Sequence, residues 1–283
     1  MTNRWANHEE IGPGDVFESL HSGLTVELIS THRDDLMTCT PDDAISDVID
    51  RNVESYDFLP VLSLVSPNNA SIIGLFHAAK FSHAASLEGC IREHYDPLSE
   101  EFVIGADARI LDFIKDADGK PCRLVVSNSG IIGLVSLSDL QKLPVRAVLF
   151  ALITGFEITM MEVIKRSFQN DEDWLCYLNE GRRKKIKHTI AESHRDDGFV
   201  DALLFTQFCD KVDIIREFFD FGAESKPALT SKLNEIQRLR DNVAHANEYA
   251  ASPEHAKNVC TLVRDILALR EKLAGIRKSG GLR

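Results

Sequence analysis

Two short stretches carry side chains whose types and spacing suit them to chemistry. Near the C-terminus, Leu239-Arg240-Asp241-Asn242-Val243-Ala244-His245-Ala246 sets a guanidinium a little over one helical turn before an imidazole. An imidazole titrates near neutral pH and both takes and gives protons, and a guanidinium holds phosphate oxygens in a planar fork. Asp241 shares a helix face with His245 and is placed to orient the ring, while Asn242 offers a further hydrogen bond. At about 100° per residue, Arg240 and His245 themselves lie about 140° apart on a regular helix. One chain therefore does not aim both at one atom, whereas two such helices meeting across a two-fold axis do. The second stretch is Gly133-Leu134-Val135-Ser136-Leu137-Ser138-Asp139. A carboxylate at the start of a helix accepts two hydrogen bonds from a cis-diol, and a helix N-terminus welcomes phosphate.

The elements that must position the second stretch come in duplicate. Thr40-Pro41-Asp42-Asp43-Ala44-Ile45 has helix-start signals for a segment running to about Val53. Strands follow over Phe58–Val65 and Ser71–Phe76, across a turn at Ser66-Pro67-Asn68-Asn69. The order then recurs about 60 residues on: a helix over Ala106–Ile114, a strand over Arg123–Ser127, a turn at Asn128-Ser129-Gly130, and a strand over Ile131–Ser136. The copies differ in the stretch that could bind. Where the second has Ser136 and Asp139, the first has His77 and Lys80, within Gly74-Leu75-Phe76-His77-Ala78-Ala79-Lys80. A lysine cannot accept from a diol, so at most one competent site is expected.

The elements that carry Arg240 and His245 are helical. After Pro144, helices are predicted over about 145–168, 172–193, 198–221, 228–248 and 253–276, broken at Asn170-Asp171, Asp196-Asp197-Gly198, Phe221-Gly222, Lys226-Pro227 and Ser252-Pro253. Short loops between them describe an antiparallel bundle, with a frayed tail at Ser279-Gly280-Gly281. The most apolar run, Val145 to Met161, is short for a membrane span and is interrupted by Arg146 and Glu157, so it reads as a core helix. Glu157 is expected either to line the Arg/His cleft or to form a core-edge ion pair with an arginine.

Charge divides along the same line. The chain of 283 residues has a net charge of −12, but residues 1–143 hold 10 Lys+Arg against 23 Asp+Glu, which leaves 22 against 21 for residues 144–283. The back half also holds the run Arg182-Arg183-Lys184-Lys185-Ile186-Lys187, either a phosphate-contacting patch or a solvated helix face. Six cysteines, at 39, 90, 122, 176, 209 and 260, lack any C-x-x-C pair, so neither a zinc site nor a disulfide framework is expected. With no apolar stretch in MTNRWANHEEIGPGD to read as a secretion signal, a reducing cytoplasm is the expected location.

On Leu59-Pro60-Val61 and Ile73-Gly74-Leu75, and on Leu124-Val125-Val126 with the Gly133–Asp139 stretch, residues 24–143 resemble a tandem CBS pair. The resemblance implies that Gly133, Ser136 and Asp139 bind a nucleotide: the hydroxyl meets phosphate or ribose and the carboxylate grips the ribose hydroxyls. On Arg240, Asp241 and His245, late in the bundle, residues 144–283 resemble HEPN domains, many of which are ribonucleases of toxin and phage-defence systems. That resemblance implies metal-independent RNA cleavage to a 2′,3′-cyclic phosphate by a homodimer. His245 would serve as acid or base, Arg240 would hold the scissile phosphate, and Asp241 and Asn242 would support them. A second match to the Arg-x4-His spacing, Arg183 to His188, has Lys184 where Asn, Asp or His is usual and lies too early in the bundle.

The expected fold is thus an α/β (α+β) CBS pair over residues 24–143, after an N-terminal extension of residues 1–23, followed by an all-α bundle over 144–283. The expected function is a ligand-regulated, metal-independent endoribonuclease. It would need no cofactor, and an adenine nucleotide would be its regulator. RNA is the expected substrate; neither DNA nor a membrane is an expected partner. Two readings stay open beside it. Asp139 alone would serve to cap its helix, with the pair as a dimerisation scaffold, and the helical domain would serve a non-catalytic sensor or adaptor that binds RNA or a protein.

Overall fold

The computed structural model describes residues 21–66, 69–82, 87–195, 201–219 and 225–275. Pro67 and Asn68 of the first predicted turn, the predicted breaks at 196–198 and 221–222, the glycine-rich tail, and residues 1–20 of the predicted extension lie outside them. The chain divides into two compact units, with Gly23–Val145 in one and Arg146 onward in the other.

The first unit is built twice on one plan. Helix α1 (Ile45–Arg51) precedes the hairpin β2 (Leu59–Ser66) and β3 (Asn69–Phe76). Helix α2 (Ile110–Asp116) precedes the hairpin β6 (Cys122–Ser127) and β7 (Gly130–Ser136). A short extended piece runs parallel to the first strand of each hairpin: Cys39 beside Val61 in one copy, β5 (Val103–Gly105) beside β6 in the other. The outer edge of each hairpin is taken by the segment that leads into the other copy. β1 (Thr31–His32), ahead of the first copy, pairs antiparallel with β7, and β4 (Tyr95–Pro97), ahead of the second, pairs with β3. The sheets are therefore β1-β7-β6-β5 and β2-β3-β4.

This exchange explains both motif glycines. A Cβ built on Gly74 would stand 2.3 Å from the Asp96 carbonyl oxygen, and one built on Gly133 would stand 2.4 Å from that of Thr31. Each crossing strand thus lies on its partner at the one position without a side chain. Ile72 and Leu75 of one hairpin and Cys122, Leu124 and Leu134 of the other share a core. Cys39, Ile45, Val48, Leu59, Val61 and Phe76 form another within the first copy.

Helix α1 starts at Ile45, not at the Thr40-Pro41 signal. The carboxylate of Asp43 accepts from the Thr40 amide (3.0 Å) and hydroxyl (2.9 Å) and pairs with Arg51, so residues 40–44 form a turn locked by their own side chain. Burial opposes ionisation of Asp43, but the Thr40 and Arg51 hydrogen bonds outweigh it and hold the carboxyl below its usual range.

The second unit is helical: α3 (Leu143–Ser167), α4 (Asp171–Leu175), α5 (Glu180–Arg195), α6 (Phe208–Phe218), α7 (Lys226–Ala244) and α8 (Pro253–Gly275), with a 3-10 turn at Ala202–Phe205. The predicted helix over 172–193 is broken in two. Asn170 and Asp173 cap α4 reciprocally, and Asn179 then accepts from the Arg182 amide (3.0 Å) to begin α5. Among the described residues of the predicted helix over 198–221, α6 is the one α-helix, because Asp201 caps the 3-10 turn and a Gln207–Asp210 capping box starts the helix afresh. By length and composition α3 could cross a membrane, and its 25 residues exceed the apolar run read from sequence. In this unit it is a packed helix, burying Val148, Leu149, Leu152, Phe156, Met160, Val163 and Ile164 at a spacing of three and four.

Candidate functional site

The predicted ligand stretch of the second copy ends β7 and opens a 3-10 turn, Leu137–Gln141. Asp139, 6% exposed, has both carboxylate oxygens engaged. Oδ2 accepts from the Ser136 amide (2.6 Å) and hydroxyl (3.3 Å), and Oδ1 pairs with Lys142 Nζ (2.7 Å), which also donates to the Ile29 carbonyl (2.6 Å). Ser136 Oγ lies 2.8 Å from Ser138 Oγ. Ser136 and Asp139 thus form a reciprocal cap, and a diol reaching Asp139 must displace one of these donors. In the first copy, the place of Ser136 is held by His77, whose ring stacks on Phe58 at 4.3 Å. Burial and then Lys80 push the His77 pKa down, against Asp57 and Asp96.

The Arg240–His245 stretch ends α7. Ser225 caps the start of this helix with Pro227 in its first turn, and Leu229, Leu233, Ile236, Leu239 and Val243 bury one face. The helix stops at Ala244, four residues short of the predicted 248. His245 is its C-cap and Ala246 leaves with φ +57, in the left-handed region where only glycine is at ease. This exit closes the helix through the His245 amide to the Asp241 carbonyl (3.0 Å) and the Asn247 amide to the Asn242 carbonyl (2.9 Å). It leaves the His245 ring exposed, without a hydrogen bond among the described residues. Asp241 does not orient that ring as expected. Its Oδ1 pairs with Arg240 Nη1 (3.1 Å), and both side chains are half exposed. Asn242 lines an open groove of about 290 Å³ between α7 and α8, beside Arg238, Tyr249 and His255.

Two residues that sequence reasoning passed over are central to this region. Arg146, read only as a charge interrupting an apolar run, reaches from α3 to the end of α7. Tyr249 lies beneath its guanidinium at 4.9 Å. Burial pushes the Tyr249 phenol up to about 12, with Arg146 pulling the other way. The available signal was a lone arginine on the buried side of an apolar helix, where a cation persists only if polar groups receive it.

Several other charges singled out in the sequence are paired. Glu157 pairs with Lys211 (3.0 Å) rather than with an arginine, and the buried Lys211 also donates to the Thr206 carbonyl (2.9 Å). In the basic run, Arg182 forks onto the buried Asp210, with Nε to Oδ1 at 2.9 Å. Arg183 donates to the Cys176 (3.3 Å) and Leu178 (3.0 Å) carbonyls, Lys184 pairs with Glu180 and Lys187 with Glu172. His188, the partner of Arg183 in the second Arg-x4-His match, lies 3.3 Å from Glu192. Among the described residues, no three His, Cys, Asp or Glu side chains form a metal-sized group. The six cysteines are free, with Cys39, Cys122 and Cys260 buried.

No model of a known protein family matches the chain. No curated protein matches it either. Among solved structures, it is similar to the CBS domain of a bacterial CNNM/CorC family Mg2+ transporter in complex with ATP, at 17% identity and a TM-score of 0.37, over 47% of this chain and 93% of that one. It is similar to CBSX2 in complex with AMP at 18% identity and a TM-score of 0.36, over 45% and 97%. The CBS domains of a transcriptional regulator from Streptococcus pneumoniae match at 16% and 0.34, over 41% and 96%. The likeness is one of fold: the duplicated helix-and-hairpin unit is CBS-like, and a helical region follows it.

Proposed function

We propose that the protein is a ligand-regulated endoribonuclease whose cutting site is completed by two copies of the chain. The observation that carries this reading is a contrast between the two Arg-x4-His matches. In Arg183–His188 the arginine is spent on backbone carbonyls and the histidine faces Glu192. In Arg240–His245 both side chains stand at the solvent-facing end of α7, and none of Arg240, Asp241 or His245 is consumed in the core. The resemblance to HEPN domains rests on this motif and its late place in the bundle.

In the proposed reaction, one copy's His245 takes the proton of a ribose 2′-hydroxyl, whose oxygen attacks the adjacent phosphorus. The bond from phosphorus to the 5′-oxygen breaks, and that oxygen receives a proton from the imidazolium of the other copy. The products are a 2′,3′-cyclic phosphate and a 5′-hydroxyl. Arg240 neutralises charge building on the phosphate oxygens. Regulation would come from an adenine nucleotide at Ser136 and Asp139, whose hydroxyls compete with Lys142 for the carboxylate. Helix α3, which begins at the next residue, would carry the effect onward. Regulation requires that the nucleotide bind two states unequally.

The test is cleavage of an RNA pool without added metal, with and without AMP or ATP. Arg240→Ala and His245→Ala are each expected to lose at least about 100-fold, and Asp139→Asn to lose the nucleotide response. Wild-type rates in both motif variants reject the catalytic assignment. A second reading, a non-catalytic sensor or adaptor, is favoured by Phe150, which is 55% exposed on α3 and offers a partner an aromatic anchor. It predicts ligand-dependent thermal stabilisation with no cleavage.

A further inference from the structure

We infer that Arg146 is a positioning residue for His245, an inference that builds on the reading of His245 as the proton-transferring group. The last carbonyls of a helix have no intrahelical donor. At the end of α7, Arg146 supplies it: Nη1 donates to the carbonyls of Asn242 (3.0 Å) and Val243 (3.1 Å). Nη2 donates to the carbonyl of Asn247 (2.8 Å). Those carbonyls lie before and after His245, so one guanidinium grips the backbone on both sides of His245 and makes no hydrogen bond to its ring.

The Tyr249 ring, packed against the guanidinium face at 4.9 Å, fixes the plane in which the fork opens. The exit it holds is one the chain does not favour by itself, since Ala246 takes a left-handed conformation that costs an L-residue energy. No carboxylate pairs with Arg146 among the described residues, so its charge is directed wholly at the C-terminal end of α7, where a cation is welcome. A lysine at this position cannot reproduce the arrangement, because an ammonium lacks the planar fork that spans three carbonyls in two directions.

The experiment uses the full chain as wild type, Arg146→Ala, Arg146→Lys and His245→Ala. It reads amide hydrogen exchange at His245 and Asn247 together with kcat and KM on a short RNA without added metal. In Arg146→Ala both amides are expected to exchange at least about tenfold faster, as befits the loss of several charge-assisted hydrogen bonds. Exchange in α5 should stay at the wild-type rate, and kcat should fall by about tenfold or more with KM little changed. Arg146→Lys should move in the same direction by less, and it carries the test if the alanine variant fails to fold. Unchanged exchange overturns the inference, and so does faster exchange with an unchanged kcat. If wild type cleaves no RNA and exchange still rises, the anchoring stands and the ribonuclease reading falls.

Discussion

The two candidate sites stand in opposite relations to the fold that carries them. At the Gly133–Asp139 stretch every motif residue already has structural work: Gly133 admits the Thr31 carbonyl, and Ser136 and Asp139 cap each other while Lys142 holds the carboxylate. At the Arg240–His245 stretch the motif side chains face solvent, and the structural work is done by Arg146 and Tyr249 instead. A ligand at the first site must therefore compete, which makes its binding energy available for a change of conformation. Under the proposed reaction, a substrate at the second would meet side chains on a backbone already held in place and would need a second copy of the chain.

The largest expected effect tests whether exposure of the motif is what matters. Arg240→Ala should lose RNA cleavage by at least about 100-fold while leaving the denaturant midpoint near wild type, because Arg240 and Asp241 form a half-exposed pair. Arg183→Ala should do the reverse. Its guanidinium holds the Cys176 and Leu178 carbonyls ahead of α5, so stability should drop by about 1.5–3 kcal/mol with the rate per folded molecule retained. Paired cleavage assays and denaturant titrations would show it, and equal activity loss in both variants would erase the distinction between the two matches.

Next in size is the engaged site. Gly133→Ala and Gly74→Ala each place a methyl group within 2.5 Å of a backbone oxygen, and overpacking of this kind costs about 1–3 kcal/mol. The two costs should be similar, because β1 lies on Gly133 as β4 lies on Gly74. A large loss at one glycine and none at the other in urea melts would mean that the exchanged strands are not equivalent.

These glycines also mark how far the sequence could be read. The duplicated unit was legible because its signals are local: strand runs, turn residues and a glycine recurring about 60 residues apart. The exchanged strands were not, since β1 and β4 are two and three residues long and are strands only because a distant hairpin edge receives them. Helix α7 was legible from the break at Lys226-Pro227 and its helical pattern, but its Ser225 cap was not read and its end was not legible, because no glycine marks the left-handed exit at Ala246. The Arg146 clamp and the Lys211 partner of Glu157 join residues far apart in the chain, which periodicity does not report. The helix break at Asn179 has a local cause, an asparagine three residues ahead of the basic run whose side chain caps α5, but the charged residues on both sides of it carry a helical pattern across the break.

A smaller effect separates the units by pH. Asp43 locks the turn ahead of α1, and its folded carboxyl is held below the usual range. A depressed carboxylate contributes stability above its unfolded pKa of about 3.9 and loses that contribution as pH falls through the lower folded value. The end of α7 is held by a guanidinium on carbonyls and has no such dependence. Between about pH 5 and 2, Asp43→Asn should remove under about 1 kcal/mol of acid sensitivity from the first unit, seen as a flatter stability-against-pH curve. Exchange at the Asn247 amide should keep the same profile in both proteins once intrinsic rates are divided out.

The smallest effect concerns the exit from α7 itself. Ala246 at φ +57 carries the cost of a left-handed L-residue, about 1–2 kcal/mol, and its side chain is exposed, so nothing is lost by removing the methyl group. Glycine relieves that cost but leaves the unfolded chain freer by about 0.5–1 kcal/mol. The net gain in Ala246→Gly should be about 0.5 kcal/mol, read as a small rise in denaturant midpoint. Because Arg146 holds the carbonyls on either side, the relaxed residue should not loosen His245, and cleavage should stay near wild type. A more stable variant with markedly weaker cleavage would show that the left-handed alanine, and not only the guanidinium behind it, aims the ring.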